Sequence, residues 1–243
     1  MKKFLSIIPV FLIAILLTGC GATVADTALI DEVNKKMETV ESGEMKVKMD
    51  VSVKAEGMQI DMPVVMEMTF IGEEKAYVNI SMSFIGMKFE AESYSVKEGN
   101  KYFTYSKSSE DEEWIKEETT EPEQSNTDDF LTILDGATNF KQIKSSGNVK
   151  TYEATLPKDA LTKILSSTSE AGLEFEVVGD AIITFSIDTN TKYLTSITMD
   201  LKDALKMEEE GVDMLGGFKM EIEFSKLNEV NNIVIPSEAL LAE

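Results

Sequence analysis

The 243-residue chain has no histidine and one cysteine, Cys20. Without histidine the commonest general base and metal ligand are missing, and with one cysteine no disulfide can form within the chain. There is no Gly-x-Ser-x-Gly elbow, no phosphate-cradling glycine-rich loop and no His-Glu-x-x-His pair, so the usual signatures of hydrolase, nucleotide and zinc chemistry are missing too. Adjacent carboxylates such as Glu112 with Glu113, or Asp128 with Asp129, sit in polar runs where such pairs are ordinarily solvated. Positive charge is scarce, with 23 basic residues against 44 acidic ones. So acidic a surface repels phosphate backbones and argues against nucleic acid as a partner. The acids are scattered, without the Asp-x-Asp-x-Asp-Gly order of a calcium loop. The expectation is a non-enzyme with no metal and no cofactor.

Long apolar runs are equally rare, and the one present opens the chain. Lys2 and Lys3 precede a run of fourteen residues from Phe4 to Leu17, followed by the small pair Thr18 and Gly19. A bilayer core needs about 20 apolar residues in a spanning helix, so this segment fits a cleaved signal of residues 1–19 better than a permanent anchor. Leu17-Thr18-Gly19-Cys20 resembles the lipobox of bacterial lipoproteins. The resemblance implies a diacylglyceryl group on the Cys20 thiol, acyl chains such as palmitate, and Cys20 as the mature N-terminus. The alternative is an ordinary signal peptide that ends near a free cysteine. Cleavage leaves 224 residues with 21 basic and 44 acidic side chains, a formal charge of −23. Residues 20–26 form a lipidated N-terminus and short tether, and residues 27–243 a single domain. Gly21 to Asp26 span at most about 20 Å, so the body rides close to the extracytoplasmic face of the cell membrane, its expected location.

Beyond the tether, Leu29, Ile30, Val33, Met37 and Val40 recur every three or four residues, the stripe of an amphipathic helix that stops at Ser42-Gly43. From Gly43 the period becomes 2. Met45, Val47, Met49, Val51 and Val53 predict a half-buried strand; Met62 to Phe70, Val78 to Phe84, and Met87 to Ala91 predict three more. The phase slip at Tyr94 and Val96 suggests a bulge. Tyr102 to Tyr105 follows a Gly99-Asn100 turn, and the short turns make the strands antiparallel neighbours.

An acid-rich stretch, Ser106 to Asp129, carries the lone Trp114, read either as a ring offered to a partner or as the start of a returning strand that packs on the sheet. Phe130 to Phe140 and Leu161 to Leu165 predict two further helices, the second opened by Pro157. Strand rhythm returns at Tyr152 to Leu156, Ile183 to Ile187, Tyr193 to Leu201 and Phe218 to Phe224, with a turn at Asp188-Thr189-Asn190. Ile233 to Ala239 suggests an edge strand ended by Pro236. A weak match at constant offset pairs Met66-Glu67…Phe70 with Met220-Glu221…Phe224.

About ten antiparallel strands with three helices predict an α+β domain, a strongly curved sheet with helices on its concave side. Methionine is unusual within it. Met45, Met49, Met62, Met66, Met68, Met82, Met87, Met199 and Met220 fall in strands, although β-branched residues suit strands better. Unbranched thioether chains adapt to irregular partners, which suits a surface that accepts acyl chains; they also fill gaps in a solid core. Candidate lining residues are Met45, Met49, Met66, Met68, Met82, Phe84, Met199, Met220, Ile222 and Phe224.

The order of parts (lipobox, tether, amphipathic helix, long alternating strands, central helices, further strands and a terminal Ile-Pro-Ser-Glu-Ala) resembles the LolA/LolB and LppX/LprG superfamily, especially its Gram-positive lipoprotein branch. The resemblance implies a half-barrel whose apolar hollow holds lipid or acyl chains, and it carries over one functional residue, Cys20. The expected role is a membrane-anchored lipoprotein that binds or presents a lipid. The alternative is a structural or sensory envelope lipoprotein that binds a protein or cell-wall partner through the loop Glu110 to Asp129.

Overall fold

A computed structural model describes residues 23–24, 27–55, 58–111, 113–119, 130–166, 175–209, 212–213 and 215–242. The signal, Cys20, the Gly57 turn and residues 120–129 of the acidic loop lie outside the described residues. The order of elements is β1 (Thr23–Val24), α1 (Thr27–Met37), β2 (Ser42–Ala55), β3 (Met58–Ile71), β4 (Lys75–Phe84), β5 (Met87–Glu98), β6 (Lys101–Ser108), β7 (Ile115–Thr119), β8 (Thr138–Ser146) and β9 (Val149–Leu156). There follow α2 (Lys158–Ser166), β10 (Glu176–Val177), β11 (Ala181–Asp188), β12 (Leu194–Asp200), β13 (Leu205–Lys206), β14 (Glu208–Glu209), β15 (Val212–Asp213), β16 (Leu215–Ser225) and a 3-10 turn (Ala239–Leu241).

Twelve strands form one antiparallel sheet in the order β1-β8-β9-β11-β12-β16-β2-β3-β4-β5-β6-β7. The sheet curves strongly without closing, an α+β half-barrel. Period-2 alternation dictates its two faces. Met45, Val47 and Val51 point into the core, while Lys46 and Lys48 point out and meet Glu67 at 2.6 Å and Glu223 at 3.0 Å on neighbouring strands. These pairs are exposed and stabilise little, but they keep the lysines of one strand matched to acids of the next.

The apolar stripe of α1 closes on the inner face. Leu29, Ile30, Val33 and Met37 are buried in one cluster with Met45, Val47, Met68 and Ile222. Each fully buried side chain of this size contributes about 1.5–3 kcal/mol. The second helix, α2, adds Leu161, Ile164 and Leu165 to the same cluster. Its first N–H, on Lys158, donates to Asp180 Oδ1 at 2.9 Å, so a carboxylate beside β11 caps the helix. The turn after β11 is also built by an aspartate. Asp188 Oδ1 accepts the N–H groups of Asn190 and Thr191 at 2.8 and 3.0 Å, which lowers the Asp188 pKa.

Several expectations change. Phe130 and Leu131 are helical, but the chain then turns and β8 begins at Thr138, which places Phe140 in a strand. Apolar spacing of three and four over a short segment also fits a turn followed by a strand. Ile233 to Ala239 forms no strand; Pro236 instead accepts from Ala239 and opens the 3-10 turn. There is no bulge in β5, whose register against β4 and β6 is continuous. Tyr94 and Val96 simply lie on its other face, because both faces of the sheet carry apolar groups there. Trp114 stands half-buried before β7, its ring 5.8 Å from that of Tyr94, as the packing alternative expects.

Candidate functional site

The inner face divides into a filled half and an open half. Across β9, β11, β12 and β16, Tyr152, Phe185, Ile197, Met199, Met220 and Ile222 are sealed. Past β2 the cover thins. One cross-strand row runs Met220, Met49, Val64, Met82, Phe89, and the next runs Ile222, Val47, Met66, Ile80, Ala91. Met220, Ile222, Val47 and Val64 are buried, whereas Met49, Met66, Ile80, Met82, Phe89 and Ala91 are only half-buried. Neither row holds an ionisable side chain. Half-buried Met62 and Val78 flank the rows on the same face.

Toward β6 the inward residues become hydroxylic. Ser93 pairs with Ser106, and Ser95 with Thr104, whose hydroxyls approach to 3.5 Å. Thr104 is buried. The open half is thus an apolar trough over β3 to β5, half-buried at most of its positions, with a hydroxyl-bearing margin.

The other face of β4 to β6 has a different character. The rings of Tyr77 and Tyr94 meet at a tilt of 36° with centroids 4.7 Å apart, and burial pushes both hydroxyl pKa values up, so these groups stay neutral donors. Lys116 lies over the rings of Phe103 and Tyr105 at 4.9 and 5.6 Å. The C-terminal 3-10 turn contacts β6, with Ala239 buried. Near α1, a solvent-open pocket of about 290 Å³ is lined by Ala28, Leu29, Glu32, Lys150, Thr189 and Lys192, with Lys192 on Glu32 at 3.2 Å. It is polar and involves none of the candidate methionines.

The ten candidate lining residues therefore separate. Met45, Met68, Met199, Met220, Ile222 and Phe224 are buried core; Met49, Met66 and Met82 face the trough; Phe84 ends β4 at 37% exposure. Ile80, Val78, Phe89 and the hydroxyl row were absent from the candidates. Their alternation was visible, but nothing in it says which strands the helices leave uncovered.

A family model described as a family of unknown function (DUF6612) matches residues 25–243. Similar solved structures include LprF from Mycobacterium bovis, with 11% identity over 86% of this chain and 95% of that one and a TM-score of 0.49. A LolA superfamily protein from Nitrosomonas europaea has 8% identity over 87% and 96% of the two chains and a TM-score of 0.28. A DUF1329 family protein from Desulfovibrio piger has 10% identity over 84% and 93% and a TM-score of 0.25. No curated protein matches the sequence. One of these similar structures is thus described as a member of the superfamily that the order of parts resembles. No helix among the described residues is long and apolar enough to cross a membrane.

Proposed function

We propose that this chain, which belongs to the DUF6612 family, is an extracytoplasmic lipoprotein, anchored through Cys20, that binds the acyl part of an amphiphilic lipid in the trough over β3 to β5. The carrying observation is the half-buried run Met49, Met66, Ile80, Met82 and Phe89, apolar and free of charge, beside the buried core of β9, β11, β12 and β16. Flexible thioethers line it, and these repack around chains of different shape. Ser93, Ser95, Ser106 and Thr104 offer hydrogen bonds to the polar end of the ligand. Binding needs no bond-making chemistry, and the protein is read as a binder, not an enzyme.

Native mass spectrometry of residues 21–243, before and after organic extraction, tests the ligand. A lipid-sized mass lost on extraction supports it; a bare protein that stays bare when lipid is added refutes it. The anchor is tested separately, by metabolic labelling with palmitate of the wild-type chain and of Cys20→Ala.

A further inference from the structure

The β4–β5 hairpin turns through Ile85 and Gly86, since Phe84 pairs directly with Met87. Both turn residues have positive φ, +48° and +78°. Two-residue turns of this kind ordinarily take Asn-Gly, because asparagine tolerates the left-handed region and a β-branched side chain does not. Isoleucine there lowers the stability of the turn, and its side chain gains nothing from packing, being 67% exposed. Met87 is 65% exposed, Phe84 37%, and Met58, which opens β3 at the same end of the sheet, 62%. Nothing lies within 4 Å of where a Cβ on Gly86 would stand, so the tip projects freely.

A strained turn that keeps a large apolar residue in open solvent is accounted for if the residue meets an apolar medium. We infer that this tip docks on a lipid bilayer, with Phe84, Ile85 and Met87 entering the headgroup and acyl boundary and Met58 beside them. The inference rests on the anchored reading of Cys20. Cys20 stands three residues before Thr23, a reach of at most about 11 Å, which keeps the domain near a membrane surface. Thr23 pairs with Gln142 at the far edge of the sheet, so the tether sets nearness to the bilayer and the exposed apolar tip sets which part meets it. A second copy of the chain is the poorer occupant, because a stable protein interface uses about 20 to 30 residues a side and this patch offers four side chains on a protruding hairpin. The trough continues into the tip through Met82 and Met62, so an acyl chain leaving the bilayer here meets only apolar side chains. The chain as a whole is strongly negative and the charge next to the tip is the ion pair Lys88–Glu90, so contact is apolar and favours zwitterionic lipid.

The test uses unlipidated residues 21–243 and phosphatidylcholine vesicles in a co-sedimentation assay, with the double substitution Ile85→Asn and Met87→Gln. The wild type is expected to partition onto the vesicles, with little change as salt rises. The double variant is expected to partition about tenfold less or weaker still. Ile85→Asn alone should raise the midpoint of thermal unfolding while weakening vesicle binding, opposite signs that general damage to the fold cannot produce. Equal partition of both proteins, no partition of the wild type, or a concentration-dependent dimer that the variant loses would each overturn the inference. The assay needs neither Cys20 acylation nor a bound lipid, so vesicle binding by a chain that carries no extractable lipid removes the ligand reading alone.

Discussion

Two methionines on neighbouring inward rows offer a direct measure of where the core ends. Met220, on β16, is fully buried against the sealed half; Met66, on β3, is half-buried over the trough. Met220→Ala removes most of a buried side chain and leaves a cavity, at a cost of about 2–5 kcal/mol. Met66→Ala removes the same atoms from a site already partly in solvent, and the cost should be about half of that, near 1–2 kcal/mol. For a domain of this size each kcal/mol shifts the melting midpoint by about 2–4 °C, so a difference of about 1–2.5 kcal/mol should set the two variants roughly 2–10 °C apart. Calorimetry on the extracted, ligand-free protein reads this difference. Lipid uptake should run the other way, with Met66→Ala losing more affinity than Met220→Ala. Equal losses of stability would mean that Met66 is ordinary core, and the proposed trough would have no floor.

Two glycines make a second comparison. A Cβ on Gly136 would stand 2.7 Å from the Cβ of Ala160 on α2, an atom with no rotamer to yield, whereas a Cβ on Gly43 would meet Cδ2 of Leu227 at 2.7 Å and the Phe70 ring at 3.2 Å, ends of side chains that can rotate. Gly136→Ala should cost about 1–3 kcal/mol by denaturant melts and Gly43→Ala less. Acid stability follows from the turn at Asp188, whose carboxyl pKa is lowered by the N–H groups of Thr191 and Asn190. A lowered carboxylate contributes stability above its unfolded pKa of about 3.9, and that contribution is lost as pH falls through the folded value. Asp188→Asn keeps an acceptor without the titration, so its melting midpoint should fall less than that of the wild type between pH 5 and pH 3. Removing the α2 cap with Asp180→Ala should cost about 1 kcal/mol, and Asp180→Asn should restore most of it.

Most of the sheet was legible because period 2 is hard to imitate. Met45 to Val53 alternates with charge at every step, and β2 stands where that pattern places it. Failures came where the pattern was short or ambiguous. Phe130 to Phe140 combined a helical stub with the start of β8, and spacing alone does not separate the two. Tyr94 and Val96 looked like a register slip because a strand with one apolar face was assumed, while β5 carries apolar groups on both. The apparent repeat of Met66-Glu67…Phe70 and Met220-Glu221…Phe224 is resolved by topology. Those segments are β3 and β16, the two strands flanking β2, and shared neighbours call for similar sequences. The candidate site was legible as a residue type, methionine in strands, but not as a place.

That place follows from a mismatch of areas. Twelve strands about 4.8 Å apart make an inner face roughly 50 Å across along its curve. Among the described residues α1 and α2 have 11 and 9 residues, about 16 and 13 Å long and each near 10 Å wide. Even side by side they cover less than half of that width. The sheet could have answered with polar residues on the uncovered strands, as most one-faced antiparallel sheets do. Instead β3 and β4 continue the apolar face with Met62, Met66, Val78, Ile80 and Met82, and the change to serine and threonine comes only at β5 and β6. An apolar face that continues past the described helices and then ends in hydroxyls is what supports the proposed ligand, a lipid whose acyl body and polar head would match the two parts.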